Sequence, residues 1–277
     1  MEAKHKIAIQ GNQGSFHHVV AKEYYQDRLV LVVCETFDDT VKALLNGSAD
    51  QAVMAIENSI AGSIISNYAL IDSNGLQIVG EYSLSIHHQL MALPGQKIED
   101  LKEVHSHPMA LLQCKDFFQQ HPNIRLVEAE DTADEARRIA ENKLQGIGAI
   151  ASQEAADLYG LEVLASSIQT IKNNVTRFVI IQKKGNLIPQ ESINKAALKF
   201  VLDHQRGSLA AVLNVMSDCQ LNLTKIQSLP VIQTPGKYAF FVDVTFDDFA
   251  HYDKARQLIA IMASEFKILG EYAQHQR

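Results

Sequence analysis

Short apolar runs alternate with amphipathic stretches along the first part of the chain. Residues 6–10, 29–34 and 51–56 are apolar and of strand length, and we expect 29–34 to be a buried strand. Residues 15–27 and 36–45, which lie between these runs, repeat apolar side chains at helical spacing. This alternation predicts βαβ units and a mostly parallel sheet.

The pattern changes after Asn74-Gly75, a turn signal, where residues 76–93 form one long extended stretch. Strand and helix then alternate again. Helices are predicted to start at Pro108, at Asp131 or Thr132, and at Ser152, with strands over 124–127 and 146–151. A second α/β lobe thus follows the first, and two lobes joined by extended crossovers leave a cleft suited to a ligand.

The last part of the chain has a different order, β-α-β-β-α-β, which is that of the ferredoxin-like split βαβ fold. The predicted strands are 197–202, 221–229, 238–246 and 266–271, with a turn at Thr234-Pro235-Gly236 and a helix capped by Ser208. Residues 183–194 are polar, contain Gly and Pro and show no periodicity. We therefore predict a linker there, between a domain at 4–182 and a domain at 195–273.

Composition narrows the classes of function. The chain has 277 residues, of which 47% are hydrophobic, so a disordered chain is excluded. A formal net charge of −7 argues against a general nucleic-acid binder, and no apolar run reaches about 18 residues, so no membrane span is expected. Three widely spaced cysteines (Cys34, Cys114, Cys219) and a start without the apolar stretch of a signal peptide indicate a cytoplasmic protein with reduced thiols.

The segment after the third apolar run carries three polar groups. Glu57, Asn58 and Ser59 bring a carboxylate, an amide and a hydroxyl together, and Gly62 permits close approach of the backbone. A helix N-cap with a glutamate nearby accounts for the same residues, because Asn and Ser are common caps. The spacing leaves both interpretations open.

Two histidines, His105 and His107, precede the helix that carries Gln113. The positive end of that helix is suited to an anion. The histidines suggest a metal site, but no Cys, Asp or Glu stands at ligand spacing, so hydrogen-bonding or solvated histidines are favoured and no metal is predicted. The adjacent pairs at 17–18 and 87–88 point their side chains apart and favour chelation even less.

A third polar group precedes the strand predicted at 179–181. Asn174, Thr176 and Arg177 offer an amide, a hydroxyl and a guanidinium, and an arginine fork is suited to a carboxylate. A turn with a surface arginine is the alternative. The glycine-rich residues 11–15 match neither G-x-G-x-x-G nor a phosphate loop, so nucleotide binding is not predicted.

These motifs, in this order, resemble the prephenate dehydratase family. Residues 56–63 are similar to its I-E-N-S-x-x-G-S, residues 106–114 to its S-H-P-x-A-L-x-Q-C, and residues 174–178 to its N-x-T-R-F. Residues 207–209 and 222–226 are similar to the two ligand loops of the ACT domain, a small-molecule-sensing module, in this family. The resemblance covers essentially the whole chain. It implies a two-lobed, periplasmic-binding-protein-like catalytic domain followed by a ferredoxin-like βαββαβ ACT domain.

The chain departs from the family pattern in several places. The family usually has Pro before I-E-N-S, where this chain has Ala55, and its N-terminal G-P-x-G-T-F-S is replaced by residues that end in His17. The ACT signature E-S-R-P appears as Gln227-Ser228-Leu229-Pro230 and so lacks an acid and an arginine. Inhibition by phenylalanine is therefore predicted to be weaker than in relatives that keep E-S-R-P, or to be replaced by a response to another amino acid.

The resemblance implies conversion of prephenate to phenylpyruvate, with loss of water and carbon dioxide, in phenylalanine biosynthesis. Aromatisation drives this reaction, so no cofactor is expected, and the enzyme supplies orientation and a hydrogen bond to the leaving hydroxyl. By resemblance Thr176 is the essential catalytic residue. Glu57 is the candidate proton source if its site raises its pKa, and Asn58 completes the catalytic set. The predicted substrate-binding residues are Ser59, Ser106, Gln113, Asn174, Arg177 and Phe178.

The resemblance leaves alternatives open. Arogenate dehydratase performs the same elimination on the amino-acid analogue, and a two-lobed amino-acid sensor without turnover is a rival of another class. The ACT resemblance implies an L-phenylalanine effector and a homodimer or homotetramer, and apolar strand residues such as 239–242 need cover. The predicted effector residues are Gly207, Leu209, Asn222, Leu223 and Ser228.

Overall fold

A computed structural model describes residues 4–185, 189–231, 234 and 236–274. Contacts within the chain divide it into two compact units, Met1–Ile64 with Tyr82–Phe178, and Ile65–Glu81 with Val179–Arg277. The second unit thus includes residues 65–81 in addition to the C-terminal part. That one domain ends at residue 182 and the next begins at residue 195 stays a prediction. Residues 186–188 of the predicted linker, and Pro235 of the predicted turn, lie outside the described residues.

The described helices and strands follow the predicted alternation closely. The helices are α1 Phe16–Tyr25, α2 Phe37–Leu45, α3 Ile65–Ser73, α4 Pro108–Gln113, α5 Lys115–Gln119, α6 Thr132–Asn142, α7 Gln153–Tyr159, α8 Ser208–Asp218 and α9 Phe249–Met262. The strands are β1 His5–Gln10, β2 Leu29–Cys34, β3 Gln51–Asn58, β4 Gly62–Ser63, β5 Leu76–Ser85, β6 Gln89–Ala92, β7 Glu103–Ser106, β8 Arg125–Glu128, β9 Ile147–Ala151, β10 Glu162–Ala165, β11 Val175–Lys183, β12 Lys195–Leu202, β13 Asn222–Pro230, β14 Tyr238–Thr245 and β15 Glu265–Tyr272. None of the described helices is long and apolar enough to cross a membrane.

The first lobe of the first unit is a parallel sheet, as the βαβ pattern predicts. Strand β1 pairs in parallel with β2 and with β3, and β4 folds back antiparallel onto the end of β3. The prediction that 29–34 is a buried strand is wrong. Val30 is 37% and Val33 44% exposed, because β2 is the edge strand of the described sheet and has β1 as its one neighbour there.

The second lobe has its own five-stranded sheet, in the order β10-β6-β9-β7-β8. The extended stretch over 76–93 divides into β5 and β6, because Ile86 and His88 hydrogen-bond outside the ladder: Ile86 donates to the Asn174 carbonyl, and His88 accepts from Ile168. The helix that starts at Pro108 divides at Cys114 into α4 and α5. The second α/β lobe itself is confirmed.

The second unit contains an antiparallel sheet in the order β13-β14-β12-β15, with α8 and α9 between the strands in sequence. This order confirms the ferredoxin-like split βαβ fold. Helix α8 begins differently from the prediction. Gly207, in the left-handed region at φ 83°, is its N-cap, and the Ser208 hydroxyl donates to the Gln205 carbonyl instead of capping the helix.

Candidate active site

Four predicted site residues within the first unit are joined by side-chain hydrogen bonds, and we call this set, Asn58, Asn174, Gln113 and Thr176, the amide row. Asn58, at the end of β3, donates from Nδ2 to Asn174 Oδ1 (2.7 Å) and to Thr176 Oγ1 (2.8 Å). Asn174 donates in turn from Nδ2 to Oε1 of Gln113 (2.9 Å), the last residue of α4. The structure therefore brings the three sequence motifs together at the meeting of the two lobes.

Asn58 is held by the turn that follows it. Its Oδ1 accepts from the backbone N–H groups of Ile60 (3.0 Å) and Ala61 (2.9 Å). Asparagine commonly stabilises turns in this way. The helix N-cap interpretation is wrong, because a turn and β4 follow Asn58 and α3 begins only at Ile65. The oxygen of Asn58 holds the turn, and its nitrogen reaches the neighbouring motif.

Thr176 lies inside β11 and not in the loop before a strand, since β11 already begins at Val175. The residue is 8% exposed, and its Oγ1 accepts from Asn58. The hydrogen of the Thr176 hydroxyl is therefore available to donate, because no residue in the described part of the chain accepts it. A buried hydroxyl with a fixed acceptor side and a free hydrogen is arranged to donate to a ligand.

Glu57 and Arg177 form an ion pair across β3 and β11. Arg177 Nη2 lies 3.1 Å from Glu57 Oε2, and the Arg177 side chain is 14% exposed. The carboxylate of Glu57 acts as an acceptor in this geometry. The guanidinium of Arg177 is held in place by it, which is how a protein orients an arginine.

Three other predicted site residues lie outside this row. The Ser59 hydroxyl accepts from the backbone N–H of Val175 (3.0 Å) and so ties the turn to β11. Ser106 is fully buried and donates to the carbonyl of Ile150 in β9 (2.7 Å), while Phe178 is 1% exposed and belongs to the packing of the first lobe. The structure does not bring Ser106 or Phe178 into the amide row.

His88, which sequence reasoning set aside, lies at the end of the row. Its Nε2 is 2.8 Å from Gln113 Oε1, and the residue is 3% exposed. Burial lowers the pKa of its imidazole. A signal was present in the sequence, because Leu84, Ile86 and His88 continue one period-2 alternation of inward positions.

The histidines before α4 have partners of their own. His105 Nε2 lies 2.9 Å from Glu103 Oε2, and its Nδ1 lies 3.3 Å from Glu135 Oε2. His107 Nδ1 accepts from the backbone N–H of Met109 (3.2 Å) and caps α4. Within the described ranges no three His, Cys, Asp or Glu side chains are grouped as metal ligands would be.

The predicted effector residues all lie in the second unit. Gly207 caps α8, and Leu209 and Leu223 pack partly buried against the core of the ferredoxin-like fold. Asn222 Nδ2 lies 3.5 Å from Thr245 Oγ1, and the Ser228 carbonyl accepts from Gln227 Nε2 (3.3 Å).

Comparison with known sequences gives consistent matches. The family model described as prephenate dehydratase matches residues 7–186. Arogenate dehydratase/prephenate dehydratase 2, chloroplastic, of Arabidopsis thaliana is 35% identical over 96% of this chain and 72% of its own length. Arogenate dehydratase 2 of Petunia hybrida is 41% identical over 82% of this chain, which spans 57% of that relative.

Two solved structures are similar over nearly the whole chain. Prephenate dehydratase from Arthrobacter aurescens, solved in complex with L-Phe, has a TM-score of 0.87 and 26% identity, over 97% of this chain and 89% of that one. GqqA, described as a novel type of quorum quenching acylase, has a TM-score of 0.87 and 28% identity, over 98% of each chain.

Proposed function

This chain belongs to the prephenate dehydratase family, and from that premise we propose that it converts prephenate to phenylpyruvate with loss of water and carbon dioxide. The observation that carries the proposal is the Thr176 hydroxyl, which accepts from Asn58 and keeps its own hydrogen for a ligand. The three motifs that meet around it supply amides and a guanidinium for the polar groups of such a substrate.

The elimination needs a hydrogen-bond donor at the oxygen that leaves. The bond to the ring carboxylate breaks and carbon dioxide departs, while the electron pair of that bond completes the aromatic ring. The ring C–O bond breaks, and the hydroxyl group leaves with the electron pair of that bond and takes up one proton from solvent to become water. A donor fixed beside that oxygen stabilises the charge that develops in the transition state. In the proposal Thr176 is this donor, and Asn58 sets its direction.

The substrate also carries carboxylates that need partners. Gln113 Oε1 already accepts from Asn174 and lies at hydrogen-bond distance from His88. The amide nitrogen of Gln113 is therefore proposed to donate to the substrate. Arg177 is proposed to face a substrate carboxylate, with Glu57 holding the guanidinium in place. A carboxylate that accepts from a guanidinium is not arranged to donate a proton, so this geometry favours an orienting role for Glu57.

The acylase name of one structural relative suggests another reaction. Acyl transfer by a hydroxyl requires a base beside the nucleophile. The described partner of Thr176 Oγ1 is the amide nitrogen of Asn58, which donates and cannot take a proton. The site therefore favours elimination over acyl transfer.

Arogenate is the second candidate substrate, because both plant relatives are named for it. The test incubates the purified chain with prephenate and with arogenate in parallel, and follows phenylpyruvate in one and phenylalanine in the other. Turnover of prephenate supports the proposal, and faster turnover of arogenate changes the substrate while keeping the chemistry. A folded protein that converts neither substrate would overturn the proposal.

The second unit is proposed to contain an ACT domain over 195–273, with the dehydratase domain at 4–182 and a linker at 183–194. The ferredoxin-like strand order and the resemblance at 207–209 and 222–226 support this assignment. L-phenylalanine is the proposed effector, and the Arthrobacter relative is described as a complex with that amino acid.

A homodimer or homotetramer is proposed through the C-terminal domain. Phe241 needs no cover from a second copy, because it packs against Tyr68 of α3 within the same unit, with ring centroids 5.4 Å apart. The exposed apolar side chains lie elsewhere, and on α9 they are Leu258, Ile261 and Met262. A reducing, cytoplasmic compartment is proposed as well, since all three cysteines are buried and none is in a disulfide.

A further inference from the structure

The imidazole of His88 is the end of the amide row, and one of its nitrogens has no partner. His88 Nε2 lies 2.8 Å from Gln113 Oε1, while Nδ1 is buried without a hydrogen-bond partner in the described part of the chain. The backbone of His88 is fixed on both sides, because its N–H donates to Gln169 Oε1 (3.0 Å) and its carbonyl accepts from Ile168 (2.9 Å). The ring of Phe16 packs edge-on against it at 5.6 Å.

The direction of every hydrogen bond in the row follows from two backbone groups. The N–H groups of Ile60 and Ala61 can only donate, so the atom of Asn58 that they meet is its oxygen. The Asn58 nitrogen therefore points to Asn174 and Thr176. The orientation of the Asn58 amide is therefore fixed by its backbone donors.

The orientation of Asn58 also fixes the hydrogen-bond directions as far as the imidazole. Because Asn58 donates to Asn174, Asn174 presents its oxygen there and its nitrogen to Gln113. Gln113 then presents Oε1, an acceptor, to His88. The Nε2 of His88 must carry the hydrogen, and the partnerless Nδ1 is an unprotonated lone pair. Burial lowers the pKa of this imidazole, so the neutral form is the one present near pH 7.

We propose that His88 is a positioning residue of the dehydratase site, whose Nε2–H tautomer holds Gln113 with its amide nitrogen toward the substrate and keeps the row to Thr176 in a single orientation. This inference rests on the proposed function of the site. The opposite tautomer would meet Gln113 with an acceptor and favour turning its amide over. The NH2 groups of Gln113 and Asn174 would then face each other. Asn174 could not turn its own amide to remove this repulsion, because Asn58 is fixed and donates to the Asn174 oxygen.

The kinetic test compares two variants that differ in the donor. His88→Phe removes the donor at similar size, whereas His88→Gln places an amide N–H near the position of Nε2. We expect kcat of His88→Phe to fall ten- to a hundredfold, because Thr176 loses its fixed direction, and KM to rise, because the turned Gln113 amide no longer donates to the substrate. His88→Gln is expected to recover kcat to within about threefold of the wild type. His204→Gln, at an exposed position in the second unit, is the matched control and should retain wild-type rates.

A second measurement does not depend on the variants folding. Long-range ¹H–¹⁵N spectra of the wild type near pH 7 should show His88 protonated at Nε2 and bare at Nδ1. A hydrogen on Nδ1 would overturn the inference, as would a folded His88→Phe with wild-type kcat or a His88→Gln that falls as far as His88→Phe. If the wild type shows the expected tautomer but converts no prephenate, the proposed function fails and the hydrogen-bond assignment stands.

Discussion

The hydroxyl of Thr176 is the single group on which the proposed chemistry depends. Thr176→Ala should lower kcat by about 10²–10³, the usual cost of losing one donor fixed at a developing charge. Thr176→Ser should keep part of the activity, because its hydroxyl remains within reach of Asn58. Steady-state rates with prephenate measure both, and circular dichroism verifies the fold. Near wild-type activity in a folded Thr176→Ala protein would contradict the assignment.

Two departures from the family pattern, His17 and Ala55, are partners in the fold. The backbone N–H of Ala55 donates to His17 Nε2 (3.2 Å) at the position where the resembled family pattern usually has proline, which lacks this N–H. The rings of Phe37 and Phe178 lie edge-on to the imidazole. The N–H that alanine provides in β3 thus has its acceptor in α1.

His17 should make the protein less stable in acid. Burial lowers the pKa of folded His17 to about 4 from 6.5, so between these values the unfolded chain binds more protons than the folded one. Stability from this group is complete above about pH 6.5 and is lost as the pH falls toward 4. The free energy of unfolding should fall by about 2 kcal/mol between pH 8 and pH 5 from His17 alone. Urea denaturation across that range measures it.

The control for this prediction is His17→Ser combined with Ala55→Pro. The pair removes the titrating group and the N–H that it accepts from, so no donor is left buried and unpaired. The readout is the slope of stability against pH and not the absolute stability. An equally steep slope in the double variant would show that other groups cause the acid loss.

The loop between β1 and α1 is the element that holds the second lobe against the first. The Gly14 carbonyl accepts from the hydroxyl of Ser152 (2.5 Å), which also caps α7 by accepting from Ala155 N–H (3.0 Å). A Cβ on Gly14 would lie 2.9 Å from Cα and Cβ of Ala155, and its φ of +86° is in the left-handed region. The loop and the start of α7 therefore fit together only with glycine at 14.

Gly14→Ala should lower stability and activity together. Gly160→Ala is the matched control, because Gly160 has φ +64° but nothing within 4 Å of its added Cβ. The control should cost about 1 kcal/mol from backbone strain alone, and Gly14→Ala should cost about 1–3 kcal/mol more from the clash. Thermal unfolding and kcat are the measurements. Equal losses in the two variants would mean that the contact with α7 is unimportant.

The proposed regulation involves both units, since an effector proposed for the second unit would change a rate set by the first. Gln227 and Leu229 stand where the E-S-R-P signature of the resembled ACT pattern has an acid and an arginine. The chain should therefore be inhibited less tightly by phenylalanine than the double variant Gln227→Glu with Leu229→Arg, because a ligand shifts an equilibrium only by its differential affinity. Initial rates titrated with phenylalanine measure this. Tight, cooperative inhibition of the wild type, unchanged in the double variant, would exclude a role for these positions.

The chain is also expected to associate with further copies of itself. The intact chain should sediment as a dimer or tetramer at micromolar concentration, since closed symmetric assemblies are the usual state of such domains. Ile261, the most exposed of the large apolar residues that the structure describes, is 81% exposed on α9. Ile261→Lys should weaken the assembly if this helix contributes to it. A wild type that sediments only as a monomer would contradict the proposal.

The sequence alone determined the elements and their order. Apolar spacing placed β1, β3 and α6 to within a few residues, and the ferredoxin-like strand order followed from periodicity and turns. These features depend on neighbours in the chain, which a sequence displays directly. The motifs also identified the family, because their residues and order are specific even before any contact is known.

How the site residues face one another is visible only once the chain is folded. The oxygen of Asn58 accepts from its own turn, and its nitrogen donates to Thr176, which lies 118 residues further along the chain. Ser106 donates to the carbonyl of Ile150 in a neighbouring strand. The same holds for His88, whose tautomer is set by a row of amides that begins at two backbone N–H groups. Hydrogen-bond direction depends on which groups meet in space, and a linear pattern carries no record of that.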